Sequence, residues 1–397
     1  MNKLNPVKIT SDLIKCQSVT PKDDGAIELI TQLLLDAGFK CKTIKRNGII
    51  NLFARWGLAK NGLTFCFNGH TDVVPPGPLE SWTKDPFLAF EENGLLFGRG
   101  STDMKSAIGA FISAAINYIT EKRPNGSIVI AITGDEEGEA KDGTVAILDW
   151  MKENNEKIDH CLVGEPTSQK SLGDTIKVGR RGSFTATFTA LGLQGHVAYP
   201  EKAVNPLPAL LKLLLTLQET PLDSGNEFFD PSSFAITSID TGNPSNNVIP
   251  EKGEATINIR FNDLHSDISL TNWLRKNIVK ATDKTGVKIE LDFKVSAQPF
   301  ICKPGEFADI ISKSVQAQTK IVPSMSTSGG TSDARFIEKY CPVVEFGLVG
   351  KTMHKTDEHV EVNQIVNLSA IYYEILESYF SKPVSYTHLT LPTILLV

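Results

Sequence analysis

The sequence predicts an α/β protein whose first domain is discontinuous, interrupted by an inserted α+β unit. Three observations carry this. Short apolar runs alternate with helical stretches as far as residue 178, the style changes to alternating strands from 179, and the first style returns after about 294. A length of 397 residues also exceeds what one hydrophobic core ordinarily serves, so two or three domains are expected.

In chain order, LTFCFNG at 63–69, SIVIAIT at 127–133 and HCLVG at 160–164 are bounded apolar runs that predict strands, and 104–120 has the period of a helix. Alternation of strand and helix implies a mostly parallel sheet. The middle unit, 179–294, contains the alternating run SFTATFTAL, a helix across 205–219, EATINIRFN, a helix across 266–280 and KIELDFKV. From 295 to 382 a helix near 306–319 and the run CPVVEFG at 341–347 complete the first domain. The tail 383–397 has no Asp, Glu, Lys or Arg, ends in an apolar run, and is set apart as an appended segment.

Composition narrows the function. Hydrophobic residues make up 41% and charged residues 22%, and no run approaches the roughly 18 apolar residues of a membrane span. The N-terminus lacks the basic and apolar regions of a signal peptide, so a soluble, cytoplasmic protein is expected. The six cysteines contain no CxxC pair, which argues against a thiolate zinc site or a disulfide framework. A net charge of -6 with no basic run offers nucleic acid no footprint, and no basic amphipathic helix points to a membrane. The partner expected is a small molecule.

The chemistry sits at strand ends. The strand 63–69 runs into His70, with Asp72 two residues on, where it could accept the second imidazole N–H and fix the tautomer. Asp103 lies in GRGSTDMKS just before a helical run, a position typical of an N-cap. The strand 127–133 ends in Gly134, Asp135, Glu136 and Glu137, and 160–164 ends in Glu165 and Pro166. A histidine follows in KTMHKTDEHV, either His354 or His359, which spacing alone does not separate. Such a histidine and carboxylate set suits zinc or another divalent first-row ion, and its size implies two. Paired ions would activate water for hydrolysis, and Glu136 is the spare carboxylate for the proton transfer.

Other chemistries lack their fingerprints. GLVGKT at 347–352 resembles the end of a phosphate-binding loop, but Glu345 stands where that pattern needs glycine. The chain has no GxSxG elbow, HExxH helix or GxGxxG turn.

In order and spacing, NGHTDVVPPG, GRGSTDMKS, TGDEEG, VGEPTS and TMHKTDEHV resemble the M20 metallopeptidase family across about residues 6–382. The resemblance implies two zinc ions per subunit, replaceable by cobalt. His70 and Glu165 would hold one and Glu137 and His354 the other, with Asp103 bridging, Asp72 behind His70 and Glu136 as general base. It also implies that 179–294 is a lid that forms a homodimer. His196 in GLQGHVAYP, together with Asn246 and Asn247 in NPSNNVIP, would then reach the partner's site. Arg180, Ser183, Arg260, Gly330 and Thr331 match substrate contacts. Paired guanidinium groups suit an acyl group carrying its own carboxylate. The expected reaction is therefore hydrolysis of the amide in an acylated amino acid; the rivals are removal of a plain acetyl group and, in a different class, a metal-free binding or dimerisation protein.

Overall fold

The computed structural model describes residues 3–58 and 62–381; the appended tail at 383–397 lies outside them. The described chain forms two compact units. One is drawn from the residues up to Ile176, from Pro304–Ser324 and from Tyr340 onward; the other comprises Lys177–Lys303 and Met325–Lys339.

The first unit is built on an eight-stranded sheet. Its centre holds Ser127–Thr133, Thr64–His70, His160–Val163 and Val343–Glu345, side by side and all parallel. Every residue of Thr64–His70 and Ser127–Thr133 is buried, as expected of strands covered on both faces. Two strands that the expected set lacked, Ile49–Trp56 and Lys40–Arg46, continue the sheet in antiparallel order. The helix Lys105–Glu121 is buried almost all round: Ile108, Phe111 and Ile112 are fully enclosed. Phe111 stacks on Phe67, with ring centroids 4.1 Å apart, and Tyr372 of the last helix, Val362–Phe380, packs edge-on against both.

The second unit is α+β. Ser233–Asp240, Lys252–Phe261, Gly182–Leu191 and Lys288–Ala297 form, in that spatial order, an antiparallel sheet. Alternation decides its two faces: Phe184, Ala186 and Phe188 point inward with Ala255, Ile257 and Ile259. The helices Leu207–Glu219 and Asp267–Thr282 cover that face through Leu210, Leu213, Leu217, Leu270 and Leu274. Ser233–Asp240 is mostly exposed and sits at the sheet edge. This unit extends past residue 294, because Phe300–Ile301 pairs with Gly179–Arg180. It also takes back 325–339, where Thr327 Oγ1 donates to the Phe228 carbonyl at 2.7 Å.

Among the described residues no helix is long and apolar enough to cross a membrane. All six cysteines are free thiols.

Candidate active site

Parallel strands end on the same edge of a sheet, so the residues that follow them gather along that edge. His70 closes Thr64–His70, Glu136 and Glu137 follow Ser127–Thr133, Glu165 follows His160–Val163, and His354 lies in the loop beyond Val343–Glu345. Their convergence is a consequence of strand direction.

Asp103 enters from the loop before Lys105–Glu121. It does not cap that helix: Met104 occupies the cap position, and no side chain bonds there. The Asp103 carboxylate instead lies between two imidazoles. His70 Nε2 is 3.2 Å from its Oδ1, and His354 Nε2 is 3.4 Å from its Oδ2. Glu165 Oε1 stands 3.8 Å from His70 Nε2, and Glu137 Oε1 lies 2.8 Å from His354 Nε2.

Three overlapping groups have metal-ligating reach: His70, Asp103 and Glu165; His70, Glu136 and Glu137; and Asp103, Glu137 and His354. Within each, one ligand atom per residue lies within 4.8 Å of the others. Donors bound to one tetrahedral zinc at about 2.0–2.2 Å stand roughly 3.3 Å apart, so this donor set fits an ion without large movement. Asp103 belongs to the first and third groups and offers each a different oxygen. Reach alone leaves Glu136 able to ligate as well.

The electrostatics agree with a cation site. Burial pushes the His70 imidazole down, but the Asp103 hydrogen bond and the charges of Glu165, Asp103 and Glu136 outweigh it and hold the ring well above its usual range. Hydrogen bonds to Asp103 and Glu137 push His354 up to about 10. Burial works upward on Asp103, yet the two histidines hold its carboxyl well below the ordinary carboxylate range. In the metal-free chain, protons on the histidines balance the concentrated negative charge.

Asp72 supports His70 differently from the expected carboxylate bond. His70 Nδ1 donates to the Asp72 main-chain carbonyl at 2.9 Å, with the nearer carboxylate oxygen at 3.7 Å. The Asp72 carboxylate, fully buried, accepts the N–H groups of Glu136 at 3.2 Å and Glu137 at 3.0 Å. It therefore aims the acidic turn. The two candidate histidines of KTMHKTDEHV are also separated. His359 belongs to none of the metal-ligating groups; it pairs with Phe97 in the sheet, and its ring lies 4.9 Å from that of Phe97.

The remaining predicted residues lie in the second unit. Arg180 is buried, and its Nη1 donates to the Gly330 carbonyl at 3.2 Å, with Thr331 next in the chain. Ser183 and Arg260 are cross-strand partners. Arg260 is pushed down by burial and by the neighbouring Arg181. His196 and Asn247 are brought together: Gly195–His196 pairs with Val248–Ile249, and Val197 N–H donates to the Asn247 carbonyl at 3.1 Å. Asn246 is exposed beside it. The Ala198 N–H donates to His196 Nδ1 at 3.0 Å, which places the proton of the neutral ring on Nε2. His196 is exposed and so presents a hydrogen-bond donor.

The α/β sheet delivers to one edge two histidines and several carboxylates, a donor set suited to divalent metal ions and to the hydrolysis that such ions support. A family model described as Peptidase family M20/M25/M40 matches residues 66–378, and the chain belongs to this family. It is 54% identical over 378 residues to a succinyl-diaminopimelate desuccinylase of Cereibacter sphaeroides (strain KD131 / KCTC 12085), covering 95% of this chain and all of that protein. A succinyl-diaminopimelate desuccinylase of Roseobacter denitrificans is 52% identical over 381 residues, covering 96% of this chain and all of its own. Among solved structures, aminopeptidase PepT of Bacillus cereus shares the fold with a TM-score of 0.78 at 18% identity, over 96% of this chain and all of that one. The YXEP protein of Bacillus subtilis, described as a dinuclear metal binding peptidase from the M20 family, gives 0.72 at 14% identity, over 95% of this chain and 98% of that one.

Two residues of the site escaped the sequence reading. Arg99 and Glu358 stand inside the quoted motifs GRGSTDMKS and TMHKTDEHV, yet opposite charges in polar loops ordinarily mean a solvated surface. Both are buried, 2% and 0% exposed, and paired at 2.7 Å. The available signal was a charge of each sign, one beside each metal-ligand candidate.

Proposed function

We propose that the chain hydrolyses N-succinyl-L,L-2,6-diaminopimelate to succinate and L,L-2,6-diaminopimelate, a step in lysine and diaminopimelate biosynthesis. The observation that carries the metal chemistry is the Asp103 carboxylate, one oxygen toward His70 and the other toward His354. The substrate rests on relatives that bear this activity in their names at 52–54% identity over their full length.

His70 and Glu165 would hold one zinc ion, Glu137 and His354 the second, and Asp103 would be shared; cobalt would serve in their place. When bound, the pair polarises the scissile carbonyl and makes water acidic enough to lose a proton near neutral pH. Glu136 accepts that proton as the water oxygen bonds to the amide carbon, and delivers it to the departing amine as the C–N bond breaks. Asp72 keeps Glu136 and Glu137 in place through their main-chain N–H groups. His196 donates Nε2–H to the oxyanion that develops on the carbonyl. Arg180 and Arg260 bind the succinyl carboxylate, with Ser183, Gly330 and Thr331 around it, and Asn246 and Asn247 complete the substrate contacts. The enzyme is a cytoplasmic homodimer in this reading, the unit containing 179–294 acting as its lid and dimer contact.

The test compares chelator-stripped and zinc-reloaded protein on N-succinyl-L,L-diaminopimelate and on N-acetylornithine. Zinc-dependent turnover of the first alone supports the reading. Preference for the second overturns the roles given to Arg180 and Arg260, and no turnover of either with two ions bound overturns the reaction.

A further inference from the structure

A carboxylate just before a helix competes for two tasks. The first turn of a helix leaves backbone N–H groups without internal partners, and an aspartate just before it ordinarily turns its side chain to accept them. Asp103 stands there and does not. The N–H groups of its loop are satisfied from another part of the chain: Glu358 Oε1 accepts from Thr102 at 2.8 Å and from Asp103 at 3.2 Å, and Oε2 accepts from Gly100 at 3.1 Å. The Glu358 main-chain carbonyl takes a fourth, from Gly98, at 2.9 Å.

Arg99 holds that carboxylate and ties in the surrounding loops. Its Nη1 donates to Glu358 Oε2 at 2.7 Å and to the Lys355 carbonyl, next to His354, at 3.2 Å. Its Nη2 reaches the Pro75 carbonyl at 3.5 Å, a few residues past His70 and Asp72. The guanidinium also lies 5.2 Å from the centre of the Trp82 ring. Thr102 Oγ1 adds a link to the His359 carbonyl at 3.0 Å. A buried ion pair is weak evidence for stability, since apolar side chains of similar volume often serve as well. What apolar side chains could not do here is accept three N–H groups.

We propose that Glu358 is a positioning residue: by accepting the N–H groups of Gly100, Thr102 and Asp103 it fixes the loop that points the Asp103 carboxylate at His70 and His354, while Arg99 holds Glu358 and anchors the loop that carries His354. The inference rests on the reading of Asp103 as the shared metal ligand. Without Glu358 the N–H groups of Gly100, Thr102 and Asp103 lose their acceptor, the loop that presents the Asp103 carboxylate loses its shape, and the shared ligand is misplaced.

The experiment uses the full chain as wild type, Glu358→Gln and Arg99→Lys. Glutamine fills the same space but faces Arg99 and the loop with one donor too many; lysine keeps the charge but loses the planar fork. Each protein is stripped of metal, checked for folding by circular dichroism, and titrated with cobalt in competition with a chelator. Ions per chain, dissociation constants and the cobalt absorption spectrum are recorded, followed by kcat and KM on N-succinyl-L,L-diaminopimelate. Both variants should fold and show cobalt binding weakened by about 10–100-fold with an altered spectrum, as loss of outer supporting contacts commonly does. kcat should fall at limiting metal and recover at excess, with KM little changed. Variants that bind two ions with wild-type constants overturn the proposal, whatever their melting temperatures. If Glu358→Gln does not fold, Arg99→Lys decides; if neither folds, the pair is a fold determinant and the proposal is overturned. Wild-type protein that binds no metal tightly sinks the underlying reading, whereas two ions in wild type and unaltered variants sink this inference alone.

Discussion

Metal uptake by the apo protein should expel protons, and the structure sets the sign and slope of the resulting pH dependence. Both histidines of the site are held above their ordinary range in the metal-free chain, His354 at about 10. At pH 7 each therefore carries a proton on a nitrogen that an ion needs, and binding releases it. For the ion that takes His354, apparent affinity should rise tenfold per pH unit above pH 7 and level off as pH approaches about 10. The ring is 48% exposed, so solvent screening lowers the upper end of that window without changing its slope. Asp103, held low, has no proton to surrender. The stability of the apo protein should run the other way. A histidine whose folded-state value lies above its unfolded value contributes fully below about 6.5, and that contribution is lost as pH rises through its folded value. Calorimetric titration with zinc in buffers of different ionisation enthalpy counts the protons, and chelator-buffered titrations between pH 6.5 and 9 give the slope. The expected result is close to two protons per chain for two ions near neutrality. Affinity independent of pH across that interval, or no proton release, would refute the assignment of His70 and His354 as ligands.

Glu136→Gln should retain both ions by metal analysis while kcat falls by about 10²–10⁴, the usual range for loss of a general acid and base; full activity would remove Glu136 from that role. His196→Ala should lower kcat by about 10²–10³ with metal content unchanged, and a change in metal content instead would make it a ligand. Arg180→Met should raise KM for the succinyl substrate by roughly 10–100-fold, since hydrogen bonds to charged groups contribute about 1.5–3 kcal/mol; an unaltered ratio of succinyl to acetyl turnover would count against a carboxylate contact. Phe188 is fully buried beneath the helices of the second unit, so Phe188→Ala should destabilise that unit by about 3–5 kcal/mol in urea unfolding. The metal affinity of the folded protein should stay the same, because its ligands belong to the other unit.

Much of the site was legible because chain direction and local sequence coincide there. His70, Glu137 and Glu165 each follow a bounded apolar run, and parallel pairing of those runs obliges their ends to meet. The inserted unit showed itself through a change of period, from continuous apolar strands to the alternation of Gly182–Leu191 and Lys252–Phe261. Strands with weaker patterns were not legible. Lys40–Arg46 is an edge strand with a single buried residue, so little in its sequence marks it.

The sequence by itself determined the class of chemistry: a histidine and carboxylate set without thiolate, placed at strand ends, in a motif order that resembles one family. Spacing alone left His354 and His359 open, the motif resemblance pointed to His354, and the tertiary structure gives the choice its physical content. They stand five residues apart, His354 in a loop and His359 at the start of a short strand, and only the His354 imidazole comes within reach of Asp103 and Glu137. The local sequence of Asp103 favours a helix cap, yet its carboxylate faces two histidines, and the N–H groups of Asp103 and its loop neighbours find their acceptor in Glu358, 255 residues away in the chain. Local sequence carries propensity and period; which donor meets which acceptor across such a separation is set by packing.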